Sequence, residues 1–297
     1  LQHLFEVSAG RTRGPRVLVL TPTRELADQI TEATRRYGKY LRVKSITIFG
    51  GMAYPKQIRE LAKLPDLVVA TPGRLIDHLN RGRINLSGLE VLILDEADRM
   101  LDMGFIEDVK KIVAAAPDKR QTLLFGATLD DSVARLAGCL LKDPIRIQVA
   151  DQKRTPENIE QRLHVVNDTR HKACILGHLV ADSSLTRAII FSATKRNADS
   201  LARMLHAQGH AAAAMHGDMK QSARNHTLSN MRSGKIRLLV ATDVAGRGLD
   251  VTGISHVINY DLPKTSEDYI NRIGRTGRAD ASGVAISLAS YKDISDL

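Results

Sequence analysis

The sequence predicts an α/β protein made of two tandem doubly wound domains, each built on a parallel sheet. Three observations predict it. Short runs rich in Val, Ile and Leu recur between longer amphipathic stretches. Those runs lack polar alternation, which marks strands covered on both faces. The pattern stops near residue 150 and restarts near 159, and 297 residues at 43% hydrophobic composition leave room for two cores.

In the first half the buried strands are expected at Arg16–Leu20, Ser45–Phe49, Asp66–Ala70, Glu90–Leu94, Thr122–Phe125 and Ile145–Val149. Helical spacing of apolar residues covers Arg24–Lys39, Pro55–Lys63, Leu75–Arg81, Met103–Ala115 and Asp131–Leu140. Polar residues 151–158, with Pro156 among them, form the expected linker between domains 1–150 and 159–297. Strands then return at Leu163–Val166, Ala188–Phe191, Ala211–Met215, Arg237–Ala241, His256–Asn259 and Val284–Leu288. Helices fall between them at His171–Ala181, Arg196–Gln208, Gln221–Arg232 and Ser266–Ile273.

A net charge of +10 points to a polyanionic partner, nucleic acid being the commonest, although a merely basic soluble protein has the same balance. Aromatic residues make up only 4% and Trp is absent, which argues against base-stacking platforms and for a grip on the sugar-phosphate backbone. Cys139 and Cys174 stand far apart without Cys-x-x-Cys spacing, so no zinc site is expected and a reducing cytoplasm fits. No apolar run is long enough for a membrane span.

Ligands of doubly wound sheets bind beyond the carboxyl ends of the strands. Here those ends carry Thr21-Pro22-Thr23-Arg24, Thr71-Pro72-Gly73-Arg74, Asp95-Glu96-Ala97-Asp98, Gly126-Ala127-Thr128 and Thr242-Asp243. Paired carboxylates at a strand end suit a magnesium ion and an attacking water in phosphoryl transfer. Taken alone, Asp95-Glu96 reads better as an acidic helix start complementing the dipole.

The full run from Asp95 to Phe105 resembles the Walker B segment of the DEAD-box RNA helicases, and the resemblance continues in order along nearly the whole chain. Pro22-Thr23-Arg24-Glu25-Leu26-Ala27 is similar to motif Ia, Gly50-Gly51 to the GG element and Thr71-Pro72-Gly73-Arg74 to motif Ib. Gly126-Ala127-Thr128 takes the place of motif III, Ile190 to Thr194 that of motif IV, and Gln221-Ser222-Ala223-Arg224 that of the Q-x-x-R element. Ala241 to Asp250 is similar to motif V, and Arg272 to Arg278 to motif VI.

The resemblance implies two RecA-like domains of bacterial type, ATP and Mg2+ as cofactors, and RNA-stimulated ATP hydrolysis coupled to local strand separation. It implies Asp95 and Glu96 at the metal, held through water, with Glu96 polarising the attacking water. Arg275 and Arg278 become arginine fingers, placed around glycines that let backbone approach a ligand. Asp250 becomes a ribose contact, and Arg247 and Asp98 complete the nucleotide set. Arg24, Gly50, Gly51, Thr71 and Arg74 in the first domain, with Gly217, Arg224 and Thr242 in the second, match positions that hold the RNA backbone. Groups of these kinds position phosphates rather than read bases. A cytoplasmic monomer acting on RNA, ribosomal precursors included, is the partner picture.

The pattern is broken in three places. No G-x-x-x-x-G-K-[ST] occurs: Gly38-Lys39 and Gly234-Lys235 are followed by Tyr40 and Ile236. The first domain is therefore expected to be truncated at its N-terminus, with an RNA-binding remnant without ATP turnover as the alternative function. Gly126 stands where the family has Ser, and Asn271 where it has His; the resemblance implies that these positions, with Thr128, couple the acidic motif to the RNA grip. In a protein that carries the phosphate loop, Gly126→Ser is expected to raise strand separation per ATP about fivefold, the worth of one hydrogen bond. An unchanged ratio of unwinding to phosphate release contradicts this.

Overall fold

Side chains alternate across a strand, so a strand that is apolar throughout must be covered on both faces. The computed structural model describes residues 1–6, 14–41, 43–127, 131–148, 158–246, 251–277, 281–291 and 293. They form two compact units, Leu1–Ile147 and Gln148–Leu297. Of the linker expected at 151–158, only Asn158 lies within the described residues.

Unit 1 runs α1 (Gln2–Glu6), β1 (Val17–Leu20), α2 (Arg24–Tyr37), β2 (Ser45–Ile48), α3 (Tyr54–Leu61), β3 (Leu67–Ala70) and α4 (Pro72–Asn80). It continues through β4 (Val91–Leu94), α5 (Ala97–Asp102), α6 (Ile106–Ala114), β5 (Gln121–Leu124) and α7 (Asp131–Leu140). The sheet is parallel throughout, in the order β2-β3-β1-β4-β5. Leu18, Leu20, Val68, Ala70, Leu92 and Leu94 enter one core layer, while Val17, Val19, Leu67, Val69 and Val91 enter the other. This is the doubly wound arrangement that the unbroken apolar runs predict. At the amino ends of the strands the buried Arg16 guanidinium donates to both Glu90 oxygens at 2.7 and 2.8 Å, tying β1 to β4.

Unit 2 comprises β6 (Ile159–Val166), α8 (Thr169–Ala181), β7 (Ala188–Phe191), α9 (Lys195–Ala207), β8 (Ala212–Met215) and α10 (Gln221–Arg232). Then follow β9 (Leu238–Ala241), α11 (Asp243–Gly246), β10 (His256–Asn259), α12 (Ser266–Ile273) and β11 (Gly283–Ser290). Its sheet is also wholly parallel, ordered β6-β11-β10-β7-β9-β8. Ile190, Val240, Ile258 and Ile286 face one layer, and Ile189, Leu239 and Val257 the other. No described helix in either unit is long and apolar enough to cross a membrane.

Two expected elements differ. Residues 145–148 form no strand: Ile145 and Ile147 are 89% and 81% exposed, because alternating Ile residues give a strand only where a neighbour completes the ladder, and none is present among the described residues. The helix expected over Met103–Ala115 starts later, at Ile106, as α6, and α5 (Ala97–Asp102) precedes it where the sequence reading placed no helix. Gly104, at φ +74, turns the chain between α5 and α6. Apolar spacing runs on through Met103 and Phe105, which is why periodicity alone starts the helix too early.

Candidate functional site

Because the pairing in unit 1 is in register, all five strands end level: Ile48 pairs with Ala70, Ala70 with Leu20, Leu20 with Leu94, and Leu94 with Leu124. The ladder extends one residue further, with Thr71 N–H on Ile48 O, Thr21 on Ala70, Asp95 on Leu20 and Phe125 on Leu94, at 2.8 to 3.0 Å. Every singled-out residue of this unit follows one of these ends. Along the rim the order is Gly50-Gly51, Thr71–Arg74, Thr23–Arg24, Asp95–Asp98, then Gly126-Ala127.

At the β2-β3-β1 end the groups suited to an anion converge. Gly51 has φ +86, and a Cβ built there would lie 2.6 Å from Nη1 of Arg24. One built on Gly50 would lie 3.4 Å from Arg24 Nη2. Thus the guanidinium packs against the bare glycine backbone, and any side chain on Gly51 would displace it as well as strain the turn. Arg24 is held in place by Thr23, whose hydroxyl accepts the Leu26 N–H at 3.3 Å and starts α2. Arg74 Nη1 donates to Met52 O at 3.3 Å and its guanidinium lies 5.3 Å from the Tyr54 ring centroid. Thr71 starts α4 without a side-chain cap bond, with Pro72 in the first turn.

The β4-β5 end is acidic. Glu96 sits at φ 52, ψ 52, a left-handed conformation rare for a residue with a side chain. Local strain of this kind clusters at functional sites, costing about 1–3 kcal/mol. Its Oε2 accepts from Arg99 Nη1 at 2.8 Å, and Arg99 is 5% exposed. Asp95 Oδ1 accepts the Glu96 N–H at 3.0 Å. Asp98 Oδ2 accepts the Ala127 N–H at 3.1 Å, so the acidic segment and the Gly126 segment are joined through backbone, next to an exposed Gly126. Burial first, then the Glu96 carboxylate, push the Asp95 carboxyl above its ordinary value.

No group of three His, Cys, Asp or Glu side chains that could hold a metal ion occurs among the described residues. Mg2+ does not need one. It keeps several waters and binds through one or two carboxylates plus substrate phosphates. A partly buried carboxylate crowded by others, as Asp95 is, fits that ion.

In unit 2 the level row is β8-β9-β7-β10: Met215 pairs with Ala241, Ala241 with Phe191, and Phe191 with Asn259. Gly217 and Thr242 follow the adjacent ends of β8 and β9. A Cβ on Gly217 would meet nothing within 4 Å, so packing does not demand glycine there. Arg224 is 5% exposed on α10. Motif VI is pinned from below. Arg272, 3% exposed, donates to both Asp243 oxygens at 2.6 and 2.8 Å and also to Asn259 Oδ1 and Asp261 O. Arg275 Nε donates to Asn271 O at 3.1 Å, and the Thr276 hydroxyl donates to Ile254 O at 2.6 Å. Gly277 has φ +65, and a Cβ there would lie 2.7 Å from Ile159 Cγ1, so the fold itself needs glycine at this position.

Arg247, Asp250, Arg278 and Thr128 lie outside the described residues. Sequence reasoning gave no role to Arg99 or Arg272, which stand inside its motifs, and missed Gln57 and His78. For Arg99 a signal existed, the i,i+3 spacing from Glu96. The other three take their partners from distant segments.

Two family models match the chain, DEAD/DEAH box helicase over residues 1–136 and helicase conserved C-terminal domain over residues 171–280. The DEAD-box ATP-dependent RNA helicase CshA of Geobacillus kaustophilus is 44% identical over 280 residues, covering 94% of this chain and 60% of that protein. The chain thus spans about three fifths of that relative's length. Among solved structures, S. cerevisiae Dbp5 bound to RNA and ADP BeF3 is 31% identical with a TM-score of 0.85, over 95% of this chain and 73% of that one. Mss116p bound to ssRNA and AMP-PNP is 28% identical with a TM-score of 0.87, over 98% and 62%.

The Asp95 shift sets a stability test. With the folded pKa above the ordinary 3.8, the ionised form is disfavoured in the fold. The penalty is complete above the folded pKa and vanishes below the unfolded one. Asp95→Asn is expected to raise the thermal midpoint of unit 1 by a few degrees at pH 7 in metal-free buffer, the gain fading as pH falls toward 4. Calorimetry showing an equal gain at both pH values, or a loss at pH 7, contradicts it.

Proposed function

Since the chain belongs to the DEAD/DEAH box helicase family, we propose that its residues serve RNA-stimulated ATP hydrolysis coupled to local strand separation or to remodelling of RNA–protein complexes. The observation that carries this reading is the level rim of unit 1, where anion-binding glycine amides and arginines stand beside a strained, crowded carboxylate pair. Adjacent strands lie about 4.8 Å apart, so Gly50-Gly51 and Asp95 are separated by about 15 Å along one edge. That distance lets RNA and nucleotide occupy one rim without overlap.

Arg24, Gly50, Gly51, Thr71 and Arg74 would hold successive phosphates of one strand, with Gly217 and Thr242 doing so on unit 2. All are backbone-directed groups, so binding is blind to base sequence. Arg224, though only 5% exposed, would add its guanidinium to the unit 2 set. Mg2+ would be held by Asp95 through water, and when bound it neutralises phosphate charge. Glu96, anchored on one oxygen by Arg99, would orient the attacking water and take its proton. Arg275 and Arg278 would stabilise the charge that builds on the transferred phosphoryl group, and Asp250 and Arg247 would contribute to the nucleotide set. The Asp98–Ala127 bond links the acidic segment to Gly126 and Thr128, and with Asn271 these would carry coupling between ATP state and RNA grip. Exposed free Cys139 and Cys174 fit action on cytoplasmic RNA.

A second reading, RNA binding without turnover, is favoured for the 297-residue polypeptide by one observation: its sequence contains no phosphate-cradling G-x-x-x-x-G-K-[ST]. Measuring phosphate release from Mg-ATP with and without RNA separates the two. Salt-dependent RNA binding with no RNA-stimulated release supports the second reading for this polypeptide. Stimulated release that is abolished by Glu96→Gln supports turnover by this polypeptide and removes the second reading. Absence of RNA binding overturns both.

A further inference from the structure

We propose that Gln57 is a positioning residue for RNA binding, a buried clamp that sets the shape of the Gly50-Gly51 loop without itself touching RNA. The inference rests on the RNA-binding reading above and deepens it. Gln57 lies on α3 and is 1% exposed. Its Nε2 donates to Phe49 O at 3.0 Å and to Met52 O at 3.3 Å, the two carbonyls that bracket the glycine pair.

With both amide hydrogens used, Oε1 is the acceptor left. His78 Nε2, 3.0 Å from Oε1, must then be the donor. The network thus assigns His78 as the neutral Nε2–H tautomer with a bare Nδ1. Two observations agree. His78 Nδ1 is buried without a partner, and burial followed by the Arg74 charge holds the imidazole pKa below its ordinary value. The ring is fixed in turn by stacking on Tyr54, with centroids 4.5 Å apart and planes at 7°.

His78 shares α4 with Arg74, whose Nη1 reaches the same Met52 carbonyl that Gln57 holds. A buried relay therefore runs from the helix that follows Thr71 to the loop that follows β2. Glycine has the most backbone freedom to lose on ordering. A loop of two glycines offers its amides to a phosphate cheaply only if something else has already fixed it. Arg24 presses on one side of that loop, and Gln57 holds its two ends.

A merely structural glutamine would change stability alone, so the test reads RNA affinity, its salt dependence and the thermal midpoint together. The probe is a 5′-fluorescein-labelled dodecauridylate titrated with the 297-residue chain between 50 and 200 mM KCl. Gln57→Met keeps the side-chain length, changes no charge and removes both donors. It is expected to weaken binding about tenfold at every salt concentration, leaving the salt slope unchanged. Arg24→Ala should weaken binding and also reduce the slope by about 0.7. His78→Phe keeps the ring over Tyr54 but deletes the donor to Oε1, and about a threefold loss is expected. Folded Gln57→Met and His78→Phe proteins with wild-type affinity overturn the proposal. So does loss of RNA binding only together with the cooperative thermal transition, which makes the glutamine a stability residue. Failure of the wild-type chain to bind the probe overturns the RNA reading itself, a different result from wild-type binding that the variants retain.

Discussion

Ile48, Ala70, Leu20, Leu94 and Leu124 close their strands at one level, and the placement of the unit 1 site follows from that register. In a parallel sheet buried on both faces the polar groups emerge only at the strand ends, so a slip of one residue would bury one of them or expose an apolar one. β1 packs Leu18 and Leu20 into one layer and Val17 and Val19 into the other. Packing in the interior therefore decides where polar groups emerge at the edge. The chemistry is borne by loops, but the loops are aimed by apolar residues several positions earlier.

Given a level rim, each loop still needs a local device to hold its functional atoms. Glu96 accepts a left-handed backbone and a buried arginine partner. Gly51 accepts a positive φ and the pressure of Arg24. Gln57 and His78 fix the ends of the glycine loop from beneath. In unit 2, Arg272 does the equivalent for α12 through the Asp243 carboxylate, with its guanidinium 5.0 Å from the Phe191 ring centroid. Buried guanidinium and amide groups recur because a strand-end loop exposes carbonyls that must find donors. These buried donors satisfy the carbonyls and shape the loops at once.

Much of this was legible in the sequence. Val17–Leu20, Leu67–Ala70 and Val91–Leu94 announce themselves as strands because nothing polar interrupts them, and the residues after each are those that a strand-end site needs. The two failures have physical causes. Ile145 to Val149 has the composition of a strand but, over its described residues 145–148, no neighbour to pair with, a fact about the sheet rather than the segment. Met103-Gly104-Phe105 keeps helical spacing while Gly104 reverses φ. The supporting residues were invisible for a third reason. Gln57, His78 and Arg272 look like ordinary polar residues of amphipathic helices, and their partners Phe49, Met52 and Asp243 become neighbours only once the chain has folded.

The claim that the carboxyl-terminal rim is the RNA-binding edge can be tested directly by amide hydrogen exchange with and without single-stranded RNA. The account predicts slower exchange at residues 49–53 and 71–75 in unit 1 and at 192–194, 216–218 and 242–243 in unit 2. Exchange at residues 14–17 and 88–91, at the opposite ends of the strands, is predicted to be unchanged. Protection confined to those opposite ends, or spread evenly over both, would contradict it.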